Sequence, residues 1–106
     1  MKLLTKAILN KLERNLITEN EDDLPLKLFN ACGQQTWLIN RIDENQDIMY
    51  GLCDLGFGVV EWGAVSLNEL LDVQKKMPYK VMIERDRYWS KGKVQDYIGK
   101  ETLVGC

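Results

Sequence analysis

The sequence predicts an α+β fold: an N-terminal helix, an antiparallel β-meander of about four strands, a capped helix, a fifth strand and a short C-terminal helical segment. Apolar residues recur every three to four positions near the start, alternate from Leu24 onward, and return to helical spacing at Ser66. The strand-like runs are separated by too few residues for crossover helices, so neighbouring strands should be antiparallel. A length of 106 residues, with 45% hydrophobic and 28% charged side chains, suits one domain over 1–106 around a single core.

In the first element, Ile8, Leu9, Leu12 and Leu16 form an apolar stripe, Lys6, Asn10 and Glu13 lie opposite, and Thr5 is placed to cap the helix. Glu19 to Asp23 holds four carboxylates in five positions with no apolar anchor, which predicts an exposed turn. The meander follows as Leu26–Ala31, Thr36–Asp43, Asp47–Cys53 and Phe57–Val65, each rich in β-branched or aromatic residues and bounded by Gly, Asn, Asp or Gln. Ser66 and Glu69 make an S-x-x-E capping box opening a helix to Lys76, with Leu67, Leu70 and Leu71 on one face. Pro78 stops that helix. Tyr79, Val81 and Ile83 then alternate with Lys80, Met82 and Glu84 as the fifth strand. Val94, Tyr97 and Ile98 return to helical spacing between Gly92 and Gly99, so the last helical piece is short.

Several chemistries are excluded by residue type. The chain has no histidine, which removes the commonest general base and the Ser-His and Cys-His nucleophile pairs. Cys32, Cys53 and Cys106 form no C-x-x-C pair, so neither a disulfide framework nor a zinc site is expected. Cys32 and Cys53 read as small strand residues, and Cys106 as an exposed free thiol. The run Gly51 to Gly58 lacks the G-K-[ST] ending of a phosphate loop and reads as glycines permitting a tight or bulged hairpin. Glu84 and Asp86 share a strand face, as two ligands of a cation would, but no lysine follows two positions on to complete a nuclease motif. Surface ion pairs are the simpler reading. No catalytic residue, bound metal or cofactor is expected, so the protein is read as a non-enzyme. No stretch approaches the roughly 20 apolar residues that span a membrane, and Met1 to Leu9 lacks the apolar core of a signal peptide. A cytoplasmic protein with no membrane partner is expected.

Charge is informative through its distribution. The net value is −2, yet Glu13 to Asp72 carries 12 acidic and 3 basic side chains, whereas Lys75 to Lys100 carries 8 basic and 3 acidic. The acidic part nominates Glu21, Asp22, Asp23, Asp43, Glu44 and Asp47 as a partner-binding surface that imitates a nucleic-acid backbone. The basic part offers an alternative, direct nucleic-acid binding through Arg85, Arg87, Trp89, Lys91 and Lys93, where cations interleave with aromatics. The plainer alternatives are solvated charged faces, with Tyr88 and Trp89 covering the sheet as core residues.

The opening MKLLTKAILNKL, the central LKLF and QTWLINRID, the MYGLCDLGFGVVEWGAVSLNEL run and the closing VMIERDRYW together resemble a bacterial family known as domain of unknown function 2958. The resemblance extends from Met1 to about Trp89. It departs from the family pattern at Trp62-Gly63-Ala64-Val65 and at Ser90-Lys91-Gly92-Lys93. Members resemble small cytosolic proteins carried on plasmids, integrative elements and phages, often beside anti-defence genes. The resemblance therefore implies a non-catalytic protein-binding module of a mobile genetic element or phage. Its expected partner is a host protein, such as a nuclease-based defence enzyme inhibited in anti-restriction or anti-CRISPR fashion. A nucleic-acid-binding protein or weak metal-dependent nuclease using the basic C-terminal third is the alternative.

Overall fold

The Thr5 hydroxyl accepts the Ile8 N–H and starts α1 (Lys6–Thr18), as the sequence predicts. The helix ends where Glu19 turns left-handed at φ 57° and returns its N–H to the Asn15 carbonyl. The computed structural model describes residues 3–89 and 91–103; Cys106 lies outside them. After α1 come β1 (Leu26–Asn30), β2 (Thr36–Ile42), β3 (Ile48–Asp54), β4 (Glu61–Ser66), α2 (Leu67–Lys76), β5 (Ile83–Arg85) and a 3-10 turn at Val94–Asp96. The fold is α+β. The strands form one antiparallel sheet in the order β4-β3-β2-β1-β5. Among the described residues no helix is long and apolar enough to cross a membrane.

Both faces of the sheet are covered, which explains why β1 and β2 are buried at almost every position rather than at alternate ones. On one face Leu26, Leu28, Trp37, Ile39, Ile42, Met49 and Ile83 pack with Leu12 of α1, and Leu67 and Leu70 of α2 add to the rim. On the other, Leu24, Leu38, Leu52, Val60 and Leu103 pack under Trp89, Val94 and Tyr97. The C-terminal segment is thus a strap. It is pinned by main-chain bonds from Leu24 N to Gly92 O, Val94 N to Asp22 O and Val60 N to Lys100 O. The Trp89 indole also donates to the Leu24 carbonyl at 2.7 Å. At its end, the buried Asp54 carboxylate accepts from Thr102 Oγ1 at 2.9 Å and Leu103 N at 2.7 Å.

One irregularity shapes the sheet. The β2–β3 register slips between Ile39 and Arg41, leaving Asn40 as the extra residue of a bulge. Asn40 is fully buried. Its carbonyl accepts the Asn15 side-chain amide at 2.8 Å, and its own side-chain amide donates to the Asp23 carbonyl at 2.6 Å. The bulge therefore ties the end of α1 and the acidic turn to the middle strand.

Three expectations change. Cys32 is not a strand residue: it is exposed in the turn after β1, where its N–H donates to the Asn30 side chain. The fifth strand is shorter than its alternation suggests, because Lys80 N and Val81 N both donate to the Met77 carbonyl and close a turn after Pro78. Asn30 then captures the returning chain, accepting from Met82 N and donating to Lys80 O. The fourth strand begins at Glu61 rather than Phe57, because Gly56 and Gly58, at φ 90° and 85°, hold the preceding residues in a loop.

The capping serine sits where the sequence puts it. Ser66 Oγ accepts from Glu69 N at 3.1 Å and donates to Asp47 Oδ1 at 2.8 Å, while Asp47 also accepts from Asn68 N. Replacing Ser66 with Ala removes both bonds and is expected to cost about 1–2 kcal/mol, read as a lower urea midpoint with unchanged slope.

Candidate functional site

Three of the six acidic candidates converge. Asp43 and Glu44, where β2 and β3 turn, and Glu21, just past the end of α1, line one groove of about 860 Å³. Leu16, Val94 and Ile98 supply apolar walls, and Arg41, Tyr50 and Trp62 complete the lining. The register explains this assembly: Arg41 lies opposite Tyr50, Tyr50 opposite Ala64, and Leu52 opposite Trp62, so alternate residues of three strands share one face. The strap closes over Leu38 and Leu52 but leaves Trp62 40% exposed.

Arg41 already occupies part of this groove. Its guanidinium carbon lies 5.9 Å from the centre of the Trp62 ring, and Nη2 is 3.8 Å from Glu21 Oε1. Nε donates to Asn40 Oδ1 at 2.9 Å, so the bulge residue sets the arginine's direction. The groove thus holds a planar cation between an aromatic face and a carboxylate. Glu44 is exposed, and Asp43 uses Oδ1 to accept from Asp47 N and Ile48 N.

The other acidic candidates are committed elsewhere. Asp47 caps α2. Asp23 is bonded to Lys93, and that hydrogen bond and charge hold the Asp23 carboxyl below its ordinary value and raise Lys93 above its own. Asp22 is exposed, with its main chain engaged by Asn20 and Val94.

The basic set is less coherent than its sequence. Trp89 is half-buried, bonded to Leu24, and its ring lies 5.6 Å from that of Tyr97. It is a core residue of the strap rather than a stacking platform. Lys93 is paired with Asp23, whereas Lys91 and Arg87 are exposed. Arg85 and Arg87 line a cavity of about 480 Å³ with Phe29, Glu84, Asp86 and Tyr88. There Asp86 pairs with Lys27 at 3.5 Å and accepts from Tyr88 N, and one Arg85 guanidinium nitrogen, Nη1, is buried without a hydrogen-bond partner. The two sequence poles are not two poles in space, since the basic strap lies directly against the acidic turn at Asp22 and Asp23.

Among the described residues no three His, Cys, Asp or Glu side chains are grouped to hold a metal ion. Burial pushes the Cys53 thiol up to about 11, so it is protonated at neutral pH, and Cys32 is exposed. Sequence reasoning missed Arg41, Tyr50 and Trp62, the cationic and aromatic lining. The available signal was their strand positions, which only the register turns into a shared face.

The family described as "Protein of unknown function (DUF2958)" matches residues 3–102. No curated protein and no solved structure matches the chain.

Proposed function

The chain belongs to the DUF2958 family, and from that premise we propose that it is a non-catalytic cytoplasmic binding module whose acid-lined aromatic groove docks a basic segment of a partner protein. The observation that carries this reading is the internal arginine. Arg41 rests on Trp62 and Glu21, while Asp43, Glu44 and Tyr50 line the same groove. A guanidinium or ammonium from a partner would meet the same chemistry. Enzymes that process nucleic acid present basic grooves, so an inhibitor of such an enzyme, encoded by a mobile element, is the biological setting proposed.

Isothermal titration with a lysine octapeptide tests the groove directly. Binding is expected at low ionic strength and should weaken as salt is added, because rim charges are screened within about 8–10 Å at physiological salt. Reversing Glu21 and Glu44 to Lys should weaken it at least about tenfold with little change in stability, since both side chains are exposed. Substituting Arg85 and Arg87 with Ala should leave it intact. Retention of a DNA duplex by the wild-type protein, lost with Arg85 and Arg87 and indifferent to Glu21 and Glu44, would instead establish the basic surface as functional.

A further inference from the structure

At Trp62 the groove opens onto the unpaired edge of the sheet. β4 pairs with β3 on one side, and no described strand pairs with the other. An edge of this kind presents backbone N–H and C=O groups in alternation, and proteins usually blunt it by shortening, bulging, or adding Lys or Pro. The opposite edge, β5, is blunted by length, at three residues. β4 has none of these protections. It runs for six residues in unbroken register with β3 and contains neither Lys nor Pro.

Its side chains divide between the two faces in a way that leaves room for a neighbour. Trp62 and Ala64 share the groove face with Tyr50 and Arg41, and both are exposed. Gly63, between them, offers no side chain to the other face. Trp62 also lines a second cavity of about 190 Å³, with Leu55, Phe57 and Val59 at the start of the strand. Those three are exposed as well, Phe57 by 83%. Bare backbone, an apolar corner and an acidic groove therefore adjoin along one strand.

We propose that β4 accepts an extended, cationic segment of a partner protein as a sixth strand, its main chain bonded to the β4 edge and its alternate side chains reaching over Ala64 and Trp62 towards Asp43, Glu44 and Glu21. This mode rests on the groove being a receptor for a basic partner, and it adds how that partner is held: backbone bonds supply affinity, and alternate side chains supply selectivity. Charge selects the occupant. The charged groups of β4 and the groove are Glu61, Asp43, Glu44 and Glu21 against Arg41 alone. A second copy of the chain would bring a second acidic set, whereas a Lys- or Arg-bearing strand brings the complement.

The test uses the intact chain and an acetylated, amidated peptide of alternating lysine and valine, seven residues long, followed by NMR. The β4 amides at 61–66 should shift when it binds, and those that face the open edge, every other one, should exchange with solvent at least about tenfold more slowly. Two N-methylated forms isolate the backbone, one methylated at the valines and one at the inner lysines. Alternate residues point their N–H groups to opposite edges of a strand, so one form should lose at least about tenfold in affinity and the other should bind like the parent. Equal binding of both forms, with shifts confined to Tyr50, Trp62 and the groove, would overturn strand addition and leave the basic-partner reading in place. No response to either this peptide or the lysine octapeptide would overturn both. Changes at β4 that depend on protein concentration alone would show that a second copy is the occupant and overturn the proposal.

Discussion

A Gly51→Ala chain is expected not to fold at 25 °C, or to lose more than about 4 kcal/mol of stability, an exceptional effect for one methyl group. A Cβ on Gly51 would lie 2.0 Å from the Leu38 carbonyl oxygen and 2.8 Å from the Ile39 Cα, both of them main-chain atoms of β2. No rotamer change relieves a clash with backbone. The strands would have to separate beside the Asn40 bulge, where Leu38 and Leu52 fill one core and Ile39 and Met49 the other. Gly58→Ala supplies the contrast. Its φ of 85° strains an alanine, but nothing lies within 4 Å of the added carbon, so about 1 kcal/mol is expected. Urea unfolding followed by circular dichroism separates the two. A wild-type midpoint for Gly51→Ala would show that β2 and β3 do not approach as described.

Asp54→Ala should cost about 3 kcal/mol, and the loss should depend on pH. The carboxylate is buried and accepts from Gly56 N, Thr102 Oγ1 and Leu103 N, so truncation leaves these donors without their acceptor and frees the end of the strap. Burial alone pushes the carboxyl up, but the bonds from Leu103, Gly56 and Thr102 outweigh it and hold it below the ordinary value. A carboxyl lowered in the folded state stabilises fully above its unfolded value of about 3.9 and loses that contribution as pH falls through the folded value. The gap between wild type and Asp54→Ala should therefore be widest near neutrality and narrow below about pH 4. A gap that stays constant down to pH 2 would contradict the assignment.

Much of the fold was legible because local rules and tertiary packing agree. Thr5 and Ser66 cap the helices they precede, and the bounds of the first three strands hold to within a residue, although burial on both faces removes the alternation in β1 and β2. The failures occur where distant residues decide. Gly51 is read both inside the third strand and as the start of the glycine run to Gly58; it does lie within β3, but its need is set by the close approach of β2 beside the bulge, which no local rule shows. The stretch from Tyr79 to Val81 alternates like a strand, but the Met77 carbonyl and the Asn30 side chain fold it into a turn. The candidate site shows the same division. Glu21, Asp43 and Glu44 are legible because clustered carboxylates are visible in one dimension. By the same pattern Trp89 and Lys93 read as a contact surface, and Asp23 and Asp47 as free acids. Their partners, Leu24, Lys93 and Ser66, are fixed only by the folded chain.

The strap also bears on the kinetics of folding. The contacts of the first four strands are made between neighbours in sequence, whereas Trp89 reaches Leu24 across 65 residues, Lys93 reaches Asp23 across 70, and Thr102 reaches Asp54 across 48. Closing loops of that size is entropically unfavourable until a platform exists to receive them, so the meander is expected to form early and the strap to dock late. Interactions absent from the transition state do little to hasten folding, but they must be broken before the chain can unfold. The strap is therefore expected to act as a brake on unfolding, setting how long each folded molecule lasts rather than how quickly it arises, and cutting the Asp54 bonds should raise the unfolding rate more than it lowers the folding rate.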